Sequence, residues 1–178
     1  MLIRHAERPS PDKSIRGVTQ EGVKSKQELT VRGWQRAGAL ARFFAPRDNR
    51  FVHPALARPE ILFACKAGPA APSLRPQHSL LPLASLLEAE LNRDYYEGQE
   101  RELVQKVIAA QGPVLIAWKH ATMQVIANAI LGNKTTSPQY WPLDRFDLVW
   151  VFDRRGDTWT FTQVPQLLLV GDRPKVID

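Results

Sequence analysis

Near the start of the chain, a histidine stands between charged side chains directly after a short apolar run. Leu2-Ile3 is followed by Arg4 and His5, and Arg8 comes three residues later. A neutral imidazole is a nucleophile near pH 7, and a guanidinium carries a planar set of donors that fits phosphate oxygens. Because the carboxyl end of a strand is the usual place for a site in an α/β sheet, this cluster predicts chemistry on an anionic substrate.

Two further apolar runs each lead to a side chain of the same kinds. Arg75 follows the run 61–64 after a Gly/Pro-rich turn, and His120 comes two residues after the run 114–118. The carboxyl ends of parallel strands meet at one edge of a sheet, so we expect Arg75 and His120 to lie near His5.

This set of residue types suits phosphoryl transfer. The group in transfer carries charge on its equatorial oxygens, which arginines and a second imidazole can surround while one imidazole attacks. An acid must also protonate the leaving alcohol and later deprotonate water. The four histidines and one cysteine show no metal-ligand spacing, so the sequence predicts that no metal is required.

Strand and helix patterns alternate along most of the chain, which predicts an α/β fold. We expect a three-layer α/β/α sandwich whose mainly parallel central sheet ends in a C-terminal β-hairpin. The predicted strands are 1–6, 61–64, a short one at 90–94, 114–118, 148–153 and 158–164, with the hairpin connection at 154–157. The predicted helices are 30–45, 74–87, 99–110 and 122–132, with Thr30, Ser73 and Thr122 as caps and a kink or break at Pro82.

Length and composition predict one globular domain over residues 1–178. The apolar fraction is 44%, and no apolar run approaches the ~20 residues that span a bilayer. Cys65 is the only cysteine, which excludes an internal disulfide and favours a reducing compartment. With no signal-peptide pattern, we expect a cytoplasmic protein; a strand that starts at residue 1 leaves open whether the N-terminus is complete.

The net charge of +6 comes from the first fifty residues. They contain 11 Lys/Arg against 5 Asp/Glu, whereas the remaining residues contain 13 of each. The basic side chains of the loop after His5 could steer an anionic substrate to the site; they are Lys13, Arg16, Lys24 and Lys26. A nucleic-acid partner is not expected, because no basic stripe with interleaved aromatics is present.

Four segments together resemble the histidine phosphatase superfamily, in its phosphoglycerate mutase-like branch. The resemblance covers about residues 1–132, and its segments stand in the family's order: Leu2–Glu7, Leu29–Ala37, Arg75–Ser79 and Trp118–Thr122. The resemblance implies that His5 is a nucleophile that forms a phosphohistidine. It also implies that Arg4, Arg75 and His120 bind the phosphoryl oxygens, that Arg8 is an additional phosphate-binding arginine, and that no cofactor is used.

The resemblance places the proton donor less directly. In the mutase-like branch a carboxylate stands four residues before a glycine, and that spacing from Gly98 leads to Asp94. Glu97 and Glu7 are the alternatives.

The chain departs from the family pattern beside each catalytic histidine. Ala6 and Ala121 occupy positions where the family usually has glycine, so φ must be negative there or strain must be accepted. The turn 65–72 is also longer and richer in proline than the family's turn. Both departures leave room for a weakly active or inactive relative.

We therefore expect a metal-independent phosphomonoester hydrolase that acts on a small anionic phosphorylated substrate. The alternatives are a mutase-like phosphotransferase, for which a 178-residue chain offers little room to close over an intermediate, and a non-catalytic protein that binds phosphorylated ligands. The oligomeric state stays open, with the hairpin at the sheet edge as a contact for a homodimer.

Overall fold

Six strands form one sheet in a computed structural model that describes residues 1–11, 14–69 and 71–178. The strands are β1 (Leu2–Arg4), β2 (Ile61–Ala64), β3 (Leu91–Asn92), β4 (Val114–Trp118), β5 (Leu148–Arg155) and β6 (Thr158–Pro165). The helices are α1 (Val31–Phe44), α2 (Arg75–Leu87), α3 (Glu100–Ala109) and α4 (Met123–Leu131), with one 3₁₀ turn at His120–Thr122.

The sheet is mostly parallel, with the strand order β3-β2-β4-β1-β5-β6. Strands β3, β2, β4 and β1 run parallel, β5 pairs antiparallel with β1, and β6 pairs antiparallel with β5. The predicted α/β class, with a mainly parallel sheet and a C-terminal hairpin, is confirmed.

Each face of the sheet has its own hydrophobic core, because successive strand residues point to opposite faces. On one face Ile3 and Leu115 join the buried residues of α1 and α2. On the other face Leu2 and Ile116 join those of α3 and α4. The two helical layers bury both sides of the central strands, which explains why those strands are apolar throughout.

The start of α1 fixes the loop that follows His5. Thr30 caps the helix as predicted, since its hydroxyl accepts a hydrogen bond from Gly33 N at 3.0 Å. The backbone N–H of Thr30 donates to the Glu7 carbonyl at 3.0 Å. A Cβ on Gly33 would lie only 2.6 Å from that same carbonyl oxygen, so only glycine allows this close approach.

Helix α2 differs from its prediction at both its start and its middle. It begins at Arg75, its N-cap position is Leu74, and no side chain caps it, so Ser73 is not the cap. The helix also continues through Pro82 without a break. Its buried face, which includes Leu80 and Leu83, packs into the core and outweighs the loss of one backbone hydrogen bond.

Helix α4 starts differently from its prediction as well. Thr122 stands at the N-cap position, but its hydroxyl makes no cap hydrogen bond. Instead the Thr122 hydroxyl accepts a hydrogen bond from Trp118 Nε1 at 3.0 Å, and the His120–Thr122 turn precedes the helix. Gly132 ends α4 in a left-handed conformation, as predicted.

Four strands have other bounds than those predicted. β1 and β3 are shorter, at Leu2–Arg4 and Leu91–Asn92. β5 is longer, because only Gly156 and Asp157 connect it to β6 and Gly156 supplies the positive φ that such a tight turn needs. β6 starts at Thr158 as predicted and continues by one residue, to Pro165. In the part of the chain that the structure describes, no helix is long and apolar enough to cross a bilayer.

Candidate active site

A cavity of about 290 Å³ opens at the carboxyl ends of β1 and β4. Its lining includes the predicted site residues His5, Arg8, Arg75 and His120. A larger cavity, of about 440 Å³, contains none of these residues and is lined by residues such as Val114 that begin the same strands. The predicted site residues His5, Arg8, Arg75 and His120 therefore lie together at the edge of the sheet where β1 and β4 end.

His5 is the first residue after β1, and its side chain is buried. The backbone N–H of His5 donates to the Trp118 carbonyl at 3.0 Å, which continues the pairing of β1 with β4. The side chain is 3% exposed, and Nδ1 lies 2.7 Å from the Ala6 carbonyl oxygen. A carbonyl can only accept, so Nδ1 carries the proton and Nε2 keeps its lone pair.

Burial also keeps the His5 imidazole neutral. It lowers the pKa of His5 well below 6.5, and the charges of Arg4 and Arg75 lower it further, against the hydrogen bond to the Ala6 carbonyl. The ring is therefore unprotonated at neutral pH, as a nucleophile must be.

A single serine joins the His5 loop to helix α2. The hydroxyl of Ser79 accepts a hydrogen bond from Ala6 N at 2.7 Å and donates to the Arg75 carbonyl at 2.7 Å. Ser79 is fully buried, so both bonds are shielded from water. The residue after the candidate nucleophile and the first residue of α2 are thus held in one frame.

Arg4 ends β1 directly before His5 and is only 1% exposed; it does not line the cavity, but its charge acts on both His5 and His120. Its Nη1 donates to three carbonyls of the segment 142–145 at 2.8–3.0 Å, and the guanidinium stacks on the ring of Phe146 at 3.9 Å. Nε and Nη2 are buried without a partner in the described part of the chain. Burial, the largest cause, lowers the pKa of Arg4 to about 9, so the cation persists at neutral pH.

Unpartnered donors recur around this cavity. Arg75 Nε and His120 Nδ1 are also buried without a hydrogen-bond partner among the residues described. A buried donor left unpaired costs about 1–3 kcal/mol, so several together call for a ligand that accepts from them. Burial and the charges of Arg4 and Arg8 lower the pKa of His120 to about 4, and burial lowers that of Arg75.

Of the three candidate proton donors, the structure brings Glu97 to the cavity. Glu97 lies on the cavity wall and accepts a hydrogen bond from Lys119 Nζ at 2.9 Å. Asp94, the acid chosen by spacing, is exposed and does not line the cavity. The loop after β3 places residue 97 at the wall because Glu100 accepts from Gly98 N at 3.1 Å and from Trp118 Nε1 at 3.0 Å.

Glu7, the other alternative, belongs to a separate ion network. Its carboxylate accepts from Arg36 at 2.9 Å and from Arg32 at 3.2 Å. Arg36 also donates to Asp172 at 2.7 Å and to Gln166 at 2.9 Å. Burial alone would lower the pKa of Arg36, but its bonds to Asp172 and Glu7 raise it.

Among the cavity-lining residues that were not predicted site residues, three polar ones come from the segments before α1 and α2. They are Lys26, Gln27 and Ser73. Only the basic composition of the loop gave a signal for Lys26, and Ser73 was interpreted as a helix cap. Of the other basic residues expected to steer a substrate, Arg16 and Lys24 line a different groove, and Lys13 falls outside the described residues.

The two alanines beside the histidines fit without backbone strain. Among the described residues, positive φ angles at non-glycine positions occur at Asn49, Glu88 and Leu167. Ala6 and Ala121 therefore have negative φ, and the alanine side chain costs nothing there.

No protein-family model matches the sequence, and no curated protein matches it either. Solved structures do match. One is a mycobacterial glucosyl-3-phosphoglycerate phosphatase in complex with VO3, with a TM-score of 0.54 and 11% sequence identity. The match covers 91% of this chain and 95% of that chain. At this identity the likeness shows the fold, which is α/β of the phosphoglycerate mutase-like type, and the neighbour with that fold is a phosphatase.

Proposed function

We propose that this protein is a phosphomonoesterase that forms a phosphohistidine on His5. The observation that carries the proposal is the group of buried, unpartnered donors around a neutral imidazole. Nε and Nη2 of Arg4 and Nε of Arg75 could donate to the oxygens of one phosphoryl group, and Nδ1 of His120 could do so in the tautomer that has its proton there. That the structural neighbour is a phosphatase adds support at the level of the fold.

In the first step, the lone pair of His5 Nε2 attacks phosphorus as the bond from phosphorus to the ester oxygen breaks. The leaving oxygen takes the electron pair of that bond and a proton from Glu97, and the alcohol departs. Arg4 and Arg75 offset the charge on the equatorial oxygens, so these arginines supply the positive charge without a metal.

In the second step, a water molecule attacks the phosphohistidine. Glu97, now ionised, takes a proton from the water as its oxygen bonds to phosphorus. The bond from phosphorus to Nε2 breaks, its electron pair returns to the imidazole, and inorganic phosphate leaves. The Nδ1 proton, held by the Ala6 carbonyl, stays in place through both steps.

The nucleophile is tested with the variant His5→Ala and the matched control His53→Asn. We expect wild type and H53N to hydrolyse p-nitrophenyl phosphate, and H5A to lose more than about 10³-fold in kcat/KM. Acid-labile phosphate on His5 should be trapped from wild type by rapid quenching and mass spectrometry. A wild-type protein that binds phosphate yet shows neither turnover nor phosphohistidine would instead be a binding protein for phosphorylated ligands.

The proton donor is tested by comparing Glu97→Gln with Asp94→Asn. A general acid matters most when the leaving alcohol is a poor leaving group. We therefore expect E97Q to reduce kcat by about 10²-fold on an alkyl phosphate and by much less on p-nitrophenyl phosphate. D94N should leave both rates near those of wild type. If D94N rather than E97Q reduced kcat on the alkyl phosphate, Asp94 would be the proton donor, as its spacing from Gly98 predicted.

A further inference from the structure

One wall of the cavity carries polar groups that the phosphoryl group does not need. This wall, the residue 26–27/73 wall, consists of Lys26, Gln27 and Ser73. Ser73 is 8% exposed, and its hydroxyl is buried without a hydrogen-bond partner in the described part of the chain. A buried hydroxyl in this state costs free energy unless a ligand completes its hydrogen bonds.

The backbone of this wall is fastened to helix α2, which leaves its side chains free. Arg75 Nη1 donates to the Lys26 carbonyl at 2.9 Å, and Leu74 N donates to the Gln27 carbonyl at 3.1 Å. The side chain of Lys26 forms no ion pair with any carboxylate that the structure describes. The wall is therefore held beside Arg75 by its main chain alone.

The cavity has more positive charge than one phosphoryl group can neutralise. Arg4 and Arg75 suffice to offset a phosphoryl dianion, and Lys119 pairs with Glu97 when that carboxyl group is ionised. The charges of Arg8 and Lys26 remain, and Lys26 shares its wall with a hydroxyl and an amide that can each donate a hydrogen bond. An oxyanion accepts from all three kinds of group, whereas a neutral alcohol would leave the lysine charge unmatched.

We propose that the residue 26–27/73 wall binds a second oxyanion, a carboxylate or a second phosphate, on the alcohol part of the phosphomonoester. This inference rests on the proposed function and specifies its substrate class. A cavity of about 290 Å³ holds a small molecule of this kind. The side chain of Lys26 then acts on substrate choice, while its carbonyl positions Arg75.

The test compares substrates that differ only in the distant group. The probes are 4-(carboxymethyl)phenyl phosphate, 4-(carbamoylmethyl)phenyl phosphate and an analogue with a phosphonomethyl group in the same position. The carboxylate and the carboxamide have nearly the same shape and leaving-group acidity. We expect wild type to prefer both anionic probes to the carboxamide through a lower KM, and the better anionic probe identifies carboxylate or phosphate as the group bound.

Two variants then locate the preference. Ser73→Ala should reduce the ratio of kcat/KM for the anionic probe to that for the carboxamide by about tenfold, the worth of a hydrogen bond to a charged group. Lys26→Met should reduce the ratio by about threefold to fivefold, since its charge is more exposed. The matched control Lys24→Met, in the same loop but outside this cavity, should keep the wild-type ratio.

The outcomes separate this inference from the function on which it rests. If wild type hydrolyses all probes with equal kcat/KM, or if K24M alters the ratio as much as K26M does, the second anion site is wrong and the phosphatase stands. If wild type hydrolyses none of the probes and no p-nitrophenyl phosphate, both proposals are wrong.

Discussion

Two buried arginines, Arg4 and Arg36, have the same side chain in opposite electrostatic settings. They are 1% and 2% exposed. Arg36 donates to the carboxylates of Glu7 and Asp172 and to Gln166, so its charge is fully compensated and its pKa is raised. Arg4 faces neutral carbonyls on one nitrogen only, keeps two nitrogens without partners, and has a lowered pKa of about 9.

The difference teaches how a structural cation can be told from a functional one. A cation that stabilises a fold has its counter-ions inside the chain, because an uncompensated buried charge is costly. A cation that binds an anionic ligand keeps free hydrogen-bond donors, so the protein without ligand is less stable by part of the free energy of burying that charge. By this criterion Arg36 holds the His5 loop and the C-terminal segment together, and Arg4 has the free donors that the proposed phosphoryl site requires.

The largest expected effect is on stability and concerns Arg36. Arg36→Met would leave Glu7 and Asp172 with the half-exposed Arg32 as their remaining cation, which should lower the free energy of unfolding by about 3 kcal/mol. Urea denaturation followed by circular dichroism measures it. The matched variant Arg42→Met, at an exposed position of α1, should stay within about 0.5 kcal/mol of wild type.

The next effect is on activity and concerns Arg4. Arg4→Met removes donors to the transferred phosphoryl group, so kcat/KM on p-nitrophenyl phosphate should fall by about 10²–10³-fold. Stability should change much less than in R36M, because an uncompensated charge is lost together with its hydrogen bonds. If R4M and R36M prove equally destabilised, the distinction between the two arginines fails.

An added anion should distinguish the same two arginines by linkage. Phosphate or vanadate that binds the free donors of Arg4 stabilises the folded state, by about 2.7 kcal/mol at a hundredfold excess over its Kd. Thermal denaturation should show a rise in Tm for wild type with phosphate and a smaller rise for R4M. A variant with weakened Arg36 contacts, Asp172→Asn, should keep the wild-type rise, provided that it remains folded.

The two site histidines give a smaller effect that depends on pH. Burial lowers the pKa of His5 well below 6.5 and that of His120 to about 4. Between the unfolded value of 6.5 and the folded value of each histidine, the unfolded chain therefore binds a proton that the folded chain does not. Their contribution to stability is complete above about pH 6.5 and is lost as the pH falls through the folded pKa values. Without phosphate, Tm should fall between about pH 7 and pH 5, and less in His120→Asn than in H53N.

The smallest expected effect concerns the alanine beside the nucleophile. Ala6 has negative φ and lies fully buried, so Ala6→Gly relieves no strain and adds chain entropy to the unfolded state. It should lower stability by about 0.5–1 kcal/mol without raising kcat. A clear rise in kcat would mean that the alanine does restrict the site.

The sequence predicted those parts of the fold that local pattern determines. The bounds of β2 and β4 are as predicted, because each is a continuous apolar run: Lys119 follows β4, and a Gly/Pro-rich turn that begins at Cys65 follows β2. Of the kink or break predicted at Pro82, the break does not occur, because burial of one helix face, a tertiary effect, outweighs the local preference of proline. The His120–Thr122 turn was missed because Thr122 bonds to Trp118 rather than to the helix end.

The candidate site shows the same division. His5, Arg75 and His120 follow strands or open a helix, so topology alone brings them to one edge. The position of Glu97 depends instead on the hydrogen bonds of Glu100, and the spacing of residues in the sequence does not predict those bonds. The carbonyls that hold Arg4 lie about 140 residues away in the chain, and such a contact leaves no local pattern.

The bond of Ser79 to both the His5 loop and helix α2 has a consequence for how this protein can be changed. The residue after His5 and the first residue of α2 are joined inside the core by this serine. Exposed side chains of the loop after His5 can therefore be varied to select another alcohol, provided that the carbonyls of Lys26 and Gln27, which accept from α2 and its N-cap, stay in place. Redesign of substrate preference should begin in that loop and leave Ser79 untouched.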